Sequence, residues 1–279
     1  MSLDVAAAPP AVAPEPIVVA PRALLRVPYS RIRLDFIKTW GYPEGKFDPE
    51  HLEILGPSGS GKTYFEATAL IDRVRARNSA VVFVATKPLD ETIERLGWPI
   101  VDKFKDVMRP ANRQCIYWPQ TKKIGEERDE WLERKYYDLL SRLWAKRAKV
   151  VIAFDEIGEV ERLSVRLKKL IHQLWTQGRS VGITIVAMKQ RPQGIQRDMH
   201  SETNWTAAFR PKDEDDAIRI AQVLGSRRIW LPVLMSLHRG PPRREFVLQH
   251  SDEAVITWVD IPLAPVPAEP THPVYGGTR

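Results

Sequence analysis

The sequence predicts an α/β fold, a doubly wound and mostly parallel sheet with helices on both faces and Pro-rich tails at either end. Three observations predict it. Short runs of Val, Ile, Leu and Ala recur along the chain, each followed by an amphipathic stretch of helical period. These runs are continuously apolar, as strands covered on both faces must be. One strand-to-helix junction, Gly56-Pro57-Ser58-Gly59-Ser60-Gly61-Lys62-Thr63, also matches the pattern G-x-x-x-x-G-K-[ST], which belongs between a strand and a helix.

Residues 1–28 are rich in Ala, Pro and Val and almost uncharged, and the chain turns Pro-rich again from residue 262. Of the 23 prolines, eleven fall within residues 1–28 and 262–273. Such segments lack the periodicity that drives helix or sheet, so 1–28 and 262–279 are expected to be flexible tails, extended or disordered. A single domain is expected between them, over residues 29–261. Its strands are expected at Leu52–Leu55, Ala80–Ala85, Gln114–Trp118, Val150–Phe154, Ile183–Met188 and Trp205–Phe209. Its helices are expected at Lys62–Arg77, Glu91–Leu96, Glu126–Lys146, Leu163–Gln177 and Glu214–Leu224. Glu245–Gln249 and Val255–Val259 read as a closing antiparallel pair at the sheet edge.

Composition narrows the function classes. A single cysteine, Cys115, excludes an internal disulfide and a cysteine-based metal cluster, which fits a reducing cytoplasm. No window approaches the ~18 uninterrupted apolar residues of a membrane helix. Prolines at 9, 10, 14, 16 and 21 argue against a signal peptide. The expectation is a chain without a membrane segment, placed in the cytoplasm, or in that of a host cell if it is viral. Its net charge of +7 favours an anionic partner, nucleic acid first, with a lysine-rich solvated face as the alternative.

The chemistry concentrates around Gly56–Thr63. Its glycines let the backbone curl so that successive N–H groups point at a β-phosphate. Lys62 can reach β- and γ-phosphate oxygens, and the Thr63 hydroxyl can ligate Mg²⁺. These roles point to ATP with Mg²⁺ as cofactors. Downstream, Val150-Val-Ile-Ala-Phe-Asp155-Glu156 is an apolar strand ending in two acids, 93 positions after Lys62. Asp155 is expected beside the phosphate loop as a second Mg²⁺ ligand, acting through the metal's water shell. Glu156, diverging from it, is expected to face the γ-phosphate and take a proton from attacking water. A surface acid pair is the plainer reading. A further buried strand ends at Gln190-Arg191-Pro192, where the Gln190 amide can bond the attacking water or a γ-phosphate oxygen.

The segment Arg179-x-x-Gly182-Ile183, an apolar run, then Gln190-Arg191-Pro192 resembles the strand-and-sensor segment of the FtsK–HerA superfamily of DNA-pumping ATPases. Arg179 stands eleven positions before Gln190, the FtsK-type spacing, and Asn204–Arg210 followed by Asp213–Asp216 continues the likeness. The resemblance spans about residues 50–225. It implies a RecA-like core, assembled as a homo-oligomeric ring (usually a hexamer), with ATP between subunits and duplex DNA threading the centre without sequence reading. Residue by residue, Lys62 and Thr63 match the family's phosphate and Mg²⁺ ligands, Asp155 and Glu156 its acidic pair, and Gln190 its polar sensor. A ring motor also needs an arginine from the neighbouring subunit. Arg179 and Arg210 are the first candidates and Arg219 the third, with an ordinary surface arginine as the alternative for each. Lys189 departs from the family, which usually carries a threonine there. The chain also lacks the membrane segments and winged-helix domain of the cell-division translocase, and its size resembles the compact packaging ATPases of viruses.

Other segments leave two readings open. Glu126–Lys149 starts acidic and ends basic, which suits the helix dipole as well as DNA contact. Arg162, Arg166, Lys168 and Lys169, and later Arg227, Arg228, Arg239, Arg243 and Arg244, extend the basic character. Trp118, Trp131, Trp144 and Trp175 sit at apolar positions and read as core, whereas Trp40 and Tyr42 either stack on adenine or pack beneath the first strand. The leading expectation is an ATP-driven DNA translocase of viral genome packaging or DNA transfer. An ATP-dependent regulatory or partitioning switch is the alternative.

Overall fold

In the computed structural model, residues 24–40, 50–190, 197–250 and 253–263 are described. The chain runs through β1 (Arg26–Pro28), α1 (Tyr29–Thr39), β2 (Leu52–Leu55), α2 (Lys62–Arg77), β3 (Val81–Val84), α3 (Glu91–Glu94) and β4 (Ile100–Val101). It continues as α4 (Phe104–Val107), β5 (Gln114–Tyr117), α5 (Gly125–Ala145), β6 (Val151–Phe154), α6 (Ile157–Glu161), α7 (Val165–Gln177) and β7 (Thr184–Lys189). Then come α8 (Arg197–Ser201), β8 (Trp205–Phe209), α9 (Glu214–Val223), α10 (Arg227–Ser236), β9 (Phe246–His250) and β10 (Glu253–Trp258).

The strands form one mixed sheet in the order β1-β10-β9-β8-β2-β7-β6-β3-β5-β4. From β8 to β4 every neighbouring pair is parallel, and only β9 runs against its neighbours. The parallel strands are continuously apolar because both faces are covered. On one face α1 and α2 pack Phe36, Phe65 and Leu70 against Ile54, Phe83 and Val186. On the other, α5 and α7 set Leu139, Leu167 and Leu174 against Ile152 and Ile185. Beside them α9 and α10 cover Leu55, Ala208 and Val247. Each such Leu or Ile contributes about 1.5–3 kcal/mol by leaving water.

Two polar insertions fasten the layers. His51 is fully buried, its Nδ1 accepting from the N–H of Ile185 at 2.9 Å. Its Nε2 therefore donates to the carbonyl of Trp175, 2.8 Å away. Arg73 is buried on α2, over the Trp40 ring at 4.6 Å and bonded to the Thr184 hydroxyl at 3.0 Å.

The sheet corrects three expectations. Residues 26–28, expected within a tail that forms no sheet, are strand β1, with Ile256 N–H donating to Leu25 O at 2.9 Å. A proline is tolerated there because β1 is the edge strand, needing ladder bonds on one side only. β1 therefore lies outside the antiparallel pair β9–β10, which is not the sheet edge. The helix expected over Leu163–Gln177 is preceded by the separate α6, and Ser164 caps the start of α7 by accepting from Leu167 N–H at 3.1 Å. Residues 1–23 and 264–279 of the expected tails lie outside the described residues, as do Tyr42, Arg191 and Pro192.

Candidate active site

Strand order decides where the polar groups meet. β7 lies between β2 and β6, so three parallel strands end side by side. The register pairs Leu55 with Lys189 and Ala187 with Phe154. The next residues out, Gly56, Gln190 and Asp155, therefore leave the sheet along one rim. The carboxyl ends of β2, β7 and β6 converge there on a cavity of about 250 Å³. Lys62, Thr63, Asp155, Glu156 and Gln190 all line it, together with Ser58, Gly59 and Gly61 of the loop.

The loop's shape needs glycine at two close approaches. At Gly56, φ is +146°, and a Cβ would sit 2.7 Å from the Cβ of Phe209. At Gly61, φ is +101°, and a Cβ would come within 3.1 Å of Arg244 Cδ. Gly61 is the N-cap of α2, so the free N–H groups of the first helical turn face the cavity. Lys62 is buried, and its ammonium donates to Pro57 O at 2.9 Å.

On the acidic side, Asp155 is buried, and its Oδ1 accepts from Thr86 N–H at 3.0 Å and from the Thr86 hydroxyl at 2.6 Å. Its Oδ2 takes the Lys87 N–H at 3.4 Å. Burial raises the Asp155 carboxyl, while the Thr86 hydrogen bonds and the Lys87 charge pull it down. Glu156 is pushed up to about 7, first by burial; Lys62 opposes the shift, Asp155 adds to it, and a Gln190 backbone bond opposes it. Lys62 is lowered to about 8 by burial, against the attraction of Glu156. The electrostatic consequence is that the ordinary gap between a lysine and a glutamate narrows to about 8 against about 7.

Glu156 Oε2 is buried with no hydrogen-bond partner among the described residues. It shares the cavity with the Thr63 hydroxyl and the Asp155 carboxylate, an all-oxygen donor set that fits a small hard divalent cation.

The candidate arginines lie elsewhere. Arg179 is in the short turn before β7, at the amino ends of the strands and hence on the opposite rim. Arg210 follows β8 on the loop's rim, but its Nη1 donates to Leu237 O at 2.9 Å. Arg219 is an exposed residue of α9. Among the described residues, the arginine that lines the phosphate cavity is Arg244, from the segment before β9. Composition showed it only as part of a basic cluster, and nothing local in the sequence separates it from its neighbours. Lys87, carried to the rim by β3, was missed in the same way. So was Glu66, one turn beyond Lys62, whose fully buried carboxyl is raised well above its usual range by burial and by Asp155. Lys189, where a threonine is usual in the superfamily, is buried and paired with Glu161 Oε2 at 3.4 Å. Trp40 is fully buried beneath the sheet, stacked on Phe36, so it takes the packing role and not the adenine-stacking one.

A phosphate loop, an acidic strand and an interposed strand with a polar tip define a P-loop NTPase. Residues 51–210, from the start of β2 to the end of β8, match the family described as NTPase, and the chain belongs to that family. It is an enzyme of nucleoside triphosphate hydrolysis. A comparison with curated proteins finds no match. Among solved structures it is similar to the genome packaging NTPase B204 from Sulfolobus turreted icosahedral virus 2 in complex with ATP-gammaS. That pair has 13% identity and a TM-score of 0.55, over 77% of this chain and 100% of that one. The same protein in complex with AMPPCP gives 13% identity and a TM-score of 0.57, over 78% and 100%. The cytoplasmic domain of the Thermomonospora curvata Type VII secretion ATPase EccC gives 16% identity and a TM-score of 0.53. It is matched over 76% of this chain and 25% of that chain. At these identities the likeness establishes the fold.

Proposed function

We propose that this ATPase is a translocase that moves duplex DNA, in viral genome packaging or a related DNA transfer. The observation that carries the reading is the placement of β7 between β2 and β6, which sets Gln190 at the same cavity as Lys62 and Glu156. A protein that only binds ATP has no use for a strand whose tip meets the γ-phosphate. A motor does, because that strand can carry the state of the nucleotide across the sheet. The packaging activity named for B204 and the +7 charge of this chain support DNA as the cargo.

In this reading, Lys62 and the N–H groups of Gly59–Thr63 hold the β- and γ-phosphates. Glu156 takes a proton from water as its oxygen attacks the γ-phosphorus, the bond to the β-phosphate oxygen breaks, and ADP and phosphate result. Gln190 orients the attacking water. Thr63 and Asp155 would hold Mg²⁺, which would offset charge on the phosphate oxygens. Copies of the chain form a homo-oligomeric ring in the cytoplasm, of the host where the cargo is viral, and Arg179 or Arg210 reaches a neighbour's γ-phosphate. Among the described residues no helix is long and apolar enough to cross a membrane.

The test is ATP turnover with and without duplex DNA at rising salt, alongside a native mass. Stimulation by DNA that fades as salt rises, with a mass that is a multiple of the chain, is the expected result. Turnover indifferent to DNA at every salt concentration favours the switch.

A further inference from the structure

The phosphate cavity has two ends of different chemistry, and this gives the bound triphosphate a direction. At one end stand Glu156 and Gln190, where the γ-phosphate must lie for water to attack it. At the other end stand Gly61, Tyr64 and Arg244. The nucleoside therefore leaves past Gly61, away from the acids. A second cavity of about 610 Å³ begins there and shares those same three residues. It lies within the ~300–1,000 Å³ range of ordinary ligand sites.

We propose that this second cavity, between the start of α2 and the strap Trp258–Leu263, holds the adenine base and ribose of the nucleotide. The inference rests on the ATP-binding reading above and extends it to residues outside the matched span 51–210. The lining has the right chemistry. Tyr64, Phe209 and Trp258 supply aromatic surface, and Arg243 and Arg244 supply planar cations and donors for ring nitrogens. The cavity at the Glu156 end, about 490 Å³, is instead walled by Lys87, Arg128, Glu159, Glu161 and Lys189, which suits no uncharged base.

The strap is also built in advance. Tyr64 donates its hydroxyl to Ile261 O at 3.0 Å and accepts from Leu263 N–H at 2.8 Å. Asp260 accepts from the Ser30 N–H at 2.9 Å and hydroxyl at 2.6 Å. The Arg243 guanidinium lies 3.8 Å from the centre of the Trp258 ring and pairs with Glu245 Oε1 at 2.8 Å, which holds that ring in place. A wall already fixed costs the ligand little ordering. Arg244, its stem against Gly61, forms the partition between base and phosphate compartments.

The full chain is titrated with ATP and, separately, with inorganic tripolyphosphate, both with Mg²⁺. Trp258→Ala is expected to weaken ATP on the order of tenfold, the loss of one base–aromatic stack, and to leave tripolyphosphate unchanged. Trp258→Phe is expected to restore most of the ATP affinity. Tyr64→Phe, which removes only the hydroxyl that ties down the strap, is expected to weaken ATP and not tripolyphosphate. ATP affinity unchanged in both Trp258→Ala and Tyr64→Phe overturns the assignment. An equal loss for both ligands also overturns it, since the damage then lies in the phosphate loop. If the unaltered chain binds neither ligand, the ATP-binding reading itself fails.

Discussion

The Gln190 backbone lies close enough to the Glu156 carboxyl to oppose its upward pKa shift, so the tip of β7 and the acid at the end of β6 meet at one cavity. The carboxylate's Oε2 is buried with no hydrogen-bond partner among the described residues. That cavity thus brings the residue proposed to sense the γ-phosphate together with the residue proposed to deprotonate water.

The pH dependence follows from the two shifted groups. Glu156 must be ionised to accept a proton, and its carboxyl is raised to about 7, so activity is lost as pH falls through that value. Lys62 must be charged to hold phosphate, and it is lowered to about 8, so activity is lost as pH rises through that value. A profile of kcat/KM for ATP is expected to peak between these limits and fall on both sides. An acid limb near 4.3, the ordinary value for glutamate, contradicts the burial of Glu156.

Gly56 is expected to tolerate no side chain. Its φ of +146° disfavours L residues, and the added Cβ meets Phe209 Cβ at 2.7 Å. Gly56→Ala is expected to cost about 1–3 kcal/mol, seen in denaturant unfolding, and to abolish nucleotide binding because the loop shifts.

Trp40→Ala separates packing from ligand contact. The side chain is fully buried, stacks on Phe36 at 5.2 Å between ring centres, and donates from Nε1 to Glu50 O at 3.1 Å. Unfolding measurements are expected to show a loss of about 3–5 kcal/mol. ATP affinity of the folded variant is expected to stay the same, which calorimetry at low temperature checks.

Elements set by local chemistry were legible. β2 and α2 are bounded by loop glycines, and their observed limits, Leu52–Leu55 and Lys62–Arg77, are those the sequence predicts. β8 at Trp205–Phe209 was equally clear from its apolar run. Elements that owe their form to tertiary contact were not. β1 is three residues whose ladder partner lies some 230 positions away, and β4 is two residues on the far edge. α10 carries Pro232 inside it, which reads as a break until its packing on α9 is seen. The lysine announces itself through the G-x-x-x-x-G-K-[ST] pattern, and the acids and the amide because each follows directly on an apolar strand. Arg244 arrives from an irregular segment, so only the folded chain brings it to Gly61. An aromatic such as Trp40 looks alike from the sequence whether it packs or binds.

Glu156→Gln tests the central claim most directly, by measuring ATP turnover and ATP binding on the same preparation. The side chain keeps its shape and loses its basicity, so binding is expected to persist while turnover falls by at least 100-fold, roughly the low end of what a general base contributes. Turnover at the unaltered rate removes Glu156 from the chemistry and contradicts the convergence of Lys62, Glu156 and Gln190 on one γ-phosphate.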